Sequence, residues 1–76
     1  MEELVEYIAK NLVDNPDAVR VIERSRGRNN VELRLHVAKE DMGRVIGKRG
    51  RVANAMRSLV RVAAIKRGKR ANLEIR

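Results

Sequence analysis

Between Arg44 and Arg51 the chain carries four cations, Arg44, Lys48, Arg49 and Arg51, interrupted by Gly47 and Gly50. Glycine reaches backbone angles that other residues avoid, and its missing side chain lets a ligand come close to the main chain. Two glycines bracketing Lys48-Arg49 therefore predict a tight turn that offers backbone and positive charge to an anion. Three common glycine motifs are excluded by their own requirements. A Walker phosphate loop needs four residues between its glycines, then Lys and a hydroxyl residue that binds magnesium. Here Gly43 and Gly47 have three between them, and Arg49 stands where Ser or Thr should be. A dinucleotide fingerprint needs a strand leading into the turn within a βαβ unit, whereas the residues before Gly47 read as helix. A Gly43-x-x-x-Gly47 membrane dimer motif needs an apolar host segment, which is missing.

The elements that position this turn follow from periodicity. Residues 2–13 place Leu4, Val5, Ile8 and Leu12 on one side of a helix, with Val13 at its edge. Glu2 and Glu3 suit the positive end of the helix dipole, and Asp14-Asn15-Pro16 stops the helix. Tyr7, the only aromatic residue, is expected to pack. Residues 18–26 read as an edge strand, Gly27-Arg28-Asn29-Asn30 as a hairpin turn, and residues 31–38 as a strand with Val31, Leu33, Leu35 and Val37 facing one way. Glu40 and Asp41 begin a short helix carrying Met42, Val45 and Ile46, which Gly47 is expected to end in the left-handed cap conformation.

After Gly50 a long helix begins. Its apolar stripe reads as Val52, Ala55, Met56, Leu59, Val60 and Ala63, with Ala64 at the edge, Ala53 and Val62 widening it, and Arg57 and Arg61 on the other face. Gly68 ends that helix. Ala71, Leu73 and Ile75 then alternate with polar residues as a last strand. The expected fold class is α+β, in the order α-β-β-α-α-β, with three helices packed on one face of a three-stranded sheet and a single domain over residues 1–76.

In that setting Val45-Ile46-Gly47-Lys48-Arg49-Gly50-Arg51-Val52 resembles the signature of the K homology (KH) domain. That signature is an apolar pair, then G-x-x-G, then a basic or polar residue and an aliphatic one. A helix and a strand precede the unit, as in the type II version, and the whole chain is similar to the small stand-alone KH proteins of bacteria, the KhpA-like family. The resemblance implies a loop, residues 47–50, that clamps about four single-stranded nucleotides by their backbone. On that reading Arg44, Lys48, Arg49 and Arg51 meet phosphates. Backbone N–H groups at Gly50 and at the start of the long helix assist them. Ile46, Val45, Val52 and Val37 are candidates for an aliphatic base groove. The family also implies an RNA chaperone or post-transcriptional regulator, which self-associates or pairs with another KH protein.

Charge and composition agree with an RNA partner. Residues 1–41 hold seven Lys/Arg against nine Asp/Glu, whereas residues 42–76 hold eleven against Glu74 alone. A polarised basic half is the footprint expected of a nucleic-acid binder. No Phe or Trp is present, which removes the base-stacking modules that rely on surface aromatics. Affinity should then be modest and salt-sensitive. No Cys and one His exclude a thiolate or His-cluster metal site, and His36 is expected to be a solvent-facing or cross-strand residue. No metal, cofactor, small-molecule substrate or membrane partner is expected, and the cytoplasm is the default location. Catalysis finds no support: Ser25 and Ser58 lack a His–acid arrangement, and Glu40 and Asp41 suit helix capping better than acid–base work. Two alternatives stay open, a KH-fold protein-interaction module with incidental RNA contact, and single-stranded DNA binding.

Overall fold

The computed structural model describes residues 1–76. Helix α1, Glu2–Leu12, buries Val5 and Ala9 and half-buries Leu4, Ile8 and Leu12. It stops before a 3-10 turn at Pro16–Ala18, where the proline at the first position fixes φ. Tyr7 departs from expectation. It is 71% exposed, because its position two residues after Val5 turns it about 200° round the helix, away from the core.

Strand β1, Arg20–Arg26, starts two residues later than its sequence suggests, since Ala18 and Val19 complete the turn. It pairs antiparallel with β2, Asn30–His36, with Val21 opposite Leu35 and Ser25 opposite Val31. Strand β3, Arg70–Ile75, lies parallel to β2 on its other side, so the sheet order is β1-β2-β3. A parallel pair needs a long crossover. Here helix α2, Met42–Ile46, and helix α3, Arg51–Lys66, supply it. The three helices cover one sheet face. Val31, Leu33 and Leu35 of β2 and Leu73 of β3 are buried beneath them, together with Met1, Val45, Met56 and Val60. The observed architecture is the α+β order α-β-β-α-α-β expected of a KH domain.

Helix α3 buries a face rotated from the one its sequence suggests. Ala53, Met56, Val60 and Ala64 are buried, whereas Ala55 is exposed and Leu59 is 49% exposed. The helix has two apolar stripes, and the one with small residues at both ends faces the core. Alanines there let the helix axis lie close to its neighbours. The stripe of Ala55, Leu59 and Val62 is left on the outside.

One polar group lies inside this core. The Asp41 side chain is 1% exposed. It does not cap α2, as its position at the start of that helix suggests. Its carboxylate instead accepts the backbone N–H groups of Asp14 at 3.0 Å and Asn15 at 3.1 Å, tying the end of α1 to the start of α2. Hydrogen bonds to a charged group contribute about 1.5–3 kcal/mol each. Asp41→Ala, which removes both, is therefore expected to cost about 3–6 kcal/mol. Thermal unfolding followed by circular dichroism should show the midpoint lowered by at least about 10 °C. A shift of only a few degrees would show that water replaces the carboxylate.

Candidate functional site

Helices α2 and α3 meet at residues 47–50, and the backbone there is held in an unusual path. Gly47 has φ 73° and ψ 177°. The positive φ agrees with the sequence, but the ψ is extended rather than left-handed helical, a combination open essentially to glycine alone. A Cβ at this position would lie 2.5 Å from Val52 Cγ2 and 3.1 Å from the Val52 nitrogen, so no other residue fits without moving α3. Arg49 (φ 57°, ψ 26°) and Gly50 (φ 74°, ψ 16°) then follow one another in the left-handed region. Three of the loop's four residues thus have positive φ. Arg49 is the only non-glycine residue in the chain that does, at a cost of roughly 1–2 kcal/mol.

The loop is closed internally. Gly47 N–H donates to the Gly43 carbonyl at 2.9 Å, and Gly50 N–H donates to the Gly47 carbonyl at 3.3 Å. Arg51 N–H is directed to the Lys48 carbonyl. The N–H groups of Gly50 and Arg51, which the sequence suggests for phosphate, are therefore already engaged within the turn.

The side chains divide into three groups. Lys48, Arg49 and Arg51 are exposed, and none enters an ion pair. Arg44 is different, since its guanidinium lies 3.1 Å from Asp14 Oδ2 and 4.0 Å from Asp41 Oδ1, so its charge is already shared between two carboxylates. Among the aliphatics, Val45 is 0% exposed and belongs to the core, which removes it from a base groove. Ile46 is 38% exposed beside the loop. Val52 and Val37 are half-buried against the core, and Val52 also fills the space under Gly47.

Helix α3 carries no acid in its first turn. Carboxylates are the usual complement to the positive end of a helix. Here that end is met by Lys48, Arg49 and Arg51, whose charges oppose the dipole by a few tenths to about 1 kcal/mol each. The result is a small, internally hydrogen-bonded, uncompensated positive site at the start of a sixteen-residue helix. An anion placed there would relieve the repulsion.

The sequence did not reveal what lies beside the loop. The outer edge of β3 is unpaired and runs along α3. Arg57 joins the two, with its Nε donating to the Leu73 carbonyl at 3.3 Å and its Nη1 to Asn54 Oδ1 at 3.1 Å. Farther along, Arg61, Ile65, Arg70, Ala71 and Asn72 line an open recess of about 290 Å³. Periodicity locates a strand but not its neighbours, so an unpaired edge cannot be seen in one strand's residues.

Comparison of the sequence with known proteins points to one family. The family model described as KhpA/KhpB, KH domain, matches residues 2–75. Proteins named RNA-binding protein KhpA align over 75 residues, 99% of this chain. The one from Caldanaerobacter subterraneus is 57% identical over 99% of its length. That from Clostridium acetobutylicum is 52% identical over 99% of its length, and that from Aquifex aeolicus is 45% identical over 94%. No solved structure gives a significant match. With a strand-helix-turn-helix-strand unit, a glycine pair at the turn and relatives matched almost end to end, the chain belongs to the KhpA/KhpB KH-domain family.

Proposed function

We propose that this protein is a non-enzymatic RNA-binding protein that holds the backbone of single-stranded RNA at Gly47–Gly50. The observation that supports this most is the uncompensated charge at the α3 N-terminus: Lys48, Arg49 and Arg51 point outward without partners, against the helix dipole. Phosphate oxygens supply the missing negative charge, and the internally hydrogen-bonded turn means that little order has to be gained on binding. The relatives' name, RNA-binding protein, agrees. Ile46 and Val52 offer the bases an aliphatic wall. With no aromatic at the loop, stacking contributes little, and phosphate contacts should dominate affinity and its salt dependence. An RNA chaperone or post-transcriptional regulator with broad sequence tolerance fits such a clamp. Arg44 is a secondary contact, since its charge is shared with Asp14 and Asp41.

A second reading rests on the outside of α3. Leu59 is 49% exposed, Val62 54% and Ile65 65%, with Ala55 one turn before Leu59. Apolar residues clustered on one helix face mark interaction surfaces, and a second copy of the chain or another KH protein would cover this one. The two readings are compatible, because the apolar face and the loop cations use different side chains.

Three measurements test these readings. Reversing Lys48 and Arg49 together to Asp should abolish binding of an RNA oligonucleotide in fluorescence anisotropy, while circular dichroism stays unchanged and the melting temperature holds or rises, because Asp relieves the strain at position 49 and complements the α3 dipole. Normal binding by that variant would sink the clamp assignment, and a DNA oligonucleotide of the same sequence in parallel reports sugar discrimination. Arg49→Asn separates fold from function in the opposite sense. Asn tolerates the left-handed region better than Arg, so this variant should be more stable by about 0.5–1 kcal/mol yet bind RNA more weakly. Lower stability would mean that Arg49 makes contacts in the folded chain that outweigh its strain. For the apolar face, sedimentation at micromolar concentration should show an associated species that Val62→Asp converts to monomer. A monomer in both proteins would exclude self-association through α3.

A further inference from the structure

The sheet face turned away from the helices carries a second concentration of positive charge. Cross-strand register places the even-numbered residues of all three strands on that face. Arg26, Asn30 and Arg70 form one row, Arg24, Glu32 and Asn72 the next, then Ile22, Arg34 and Glu74, then Arg20 and His36. Arg76 extends the same face beyond Glu74, with which it pairs at 3.1 Å. Six arginines thus meet two carboxylates. The carboxylates are shared: Glu32 binds Arg26 at 2.7 Å and Arg34 at 2.8 Å, and Glu74 lies 3.4 Å from Arg34. Arg24 and Arg70 are exposed and have no carboxylate partner. The Arg34 hydrogen bond, with the charges of Arg26, Arg34 and Arg24 around it, holds the Glu32 carboxyl below the usual carboxylate range.

Four of these arginines belong to residues 1–41, the half with net negative charge, so counting along the chain conceals them. Of the nine acids of that half only Glu32 lies on this face; the others sit on α1, in the turn after it, on the opposite side of β1 (Glu23) and just before α2. The face is also continuous with the flank of α3. Arg70 and Asn72 line the recess beside Arg61 and, across the β3 edge, an open recess of about 310 Å³ with Arg26, Asn30 and Glu32. A chain of phosphates leaving the α2–α3 turn along α3 thus meets cations on both sides of that edge. Arginine suits the role, because its planar guanidinium pairs with phosphate oxygens through two hydrogen bonds.

We propose that the outer sheet face is a second contact surface for the phosphate backbone of RNA, reached over the β3 edge and distinct from the glycine turn. The proposal rests on the RNA reading for its ligand but on none of the turn's residues. With no Phe, Tyr or Trp on it the face holds RNA chiefly by phosphate contacts, and it extends the site beyond the few nucleotides that a KH clamp holds.

Arg24 and Arg26 test this, since β1 lies two strands away from the β3 edge and both side chains are exposed. In the full-length chain, Arg24→Gln with Arg26→Gln leaves Glu32 paired with Arg34, and unchanged circular dichroism verifies the fold. Binding is measured with an RNA of about five nucleotides, which fills only the clamp, and with one of about twenty. The double variant should bind the long RNA about tenfold more weakly, with the salt slope reduced by roughly 1.4, at about 0.7 per single-strand phosphate contact. Its affinity for the short RNA should be unchanged. Unchanged affinity for the long RNA, or equal loss on both, overturns the second surface. The Lys48, Arg49 reversal serves as the opposite control. If it spares the short RNA, the clamp reading fails, whatever the sheet variant does.

Discussion

The loop exists because Val52 needs the space that a side chain at position 47 would fill. With a hypothetical Cβ 2.5 Å from Val52 Cγ2, the first turn of α3 can approach α2 only if residue 47 is glycine. That approach turns the chain through a path with positive φ at Gly47, Arg49 and Gly50. It also sets the direction in which Lys48 and Arg49 leave the backbone, because the flanking N–H groups of Gly47, Gly50 and Arg51 are used within the turn. Strain at Arg49 is the cost of projecting a cation from the one place in the turn where a third glycine would be easier to accommodate. Backbone strain of this kind persists where the surroundings over-determine it, and here two helices do so.

Those helices are not self-sufficient. Helix α2 has five residues, far below the length at which a helix is stable alone. Val45, fully buried, anchors it to the core, and the Asp41 carboxylate anchors its start to the segment after α1. The geometry of the turn is thus inherited from contacts that span much of the chain, and Asp41 joins residues 26 and 27 positions apart. Arg44 completes the link at the surface through Asp14. The same carboxylates that stabilise the fold therefore withhold one cation from the site.

What could be read in the sequence was whatever depends on local pattern. Alternation located β2 and β3, a long apolar period located α3, and the glycine spacing located the turn. The rest depends on which surfaces meet. Helix α3 contains two plausible apolar stripes, and only docking decides that Ala53, Met56, Val60 and Ala64 turn inward while Leu59 and Val62 turn outward. Tyr7 reads as packing by residue type, yet its helical position faces solvent. Asp41 looks like a helix cap because its true partners lie in another segment. Val45 and Ile46 are adjacent and alike in sequence, but one is core and the other reaches solvent. The arginine-rich sheet face is invisible to a count along the chain, because cross-strand register gathers its charges from three separate strands.

If the turn clamps about four nucleotides as proposed, a domain with a Cα radius of gyration of 12.0 Å has little room to gain affinity within one site. No aromatic side chain stands at the turn to stack on a base, and more cations there would add repulsion at the α3 N-terminus, where three already oppose the dipole. The remaining route is to use more of the surface. A second contact on the same RNA adds avidity through effective concentration without any improvement at the first. The fold leaves two surfaces for this. The apolar outside of α3 would double the number of clamps by bringing two chains together, and the basic outside of the sheet would lengthen the track of each. They serve different ends of the same constraint. Pairing through α3 leaves both sheet faces free, because the helix layer and the open face lie on opposite sides of the sheet. A dimer built that way would present two turns and two arginine faces, and its affinity would then grow with RNA length rather than with RNA sequence.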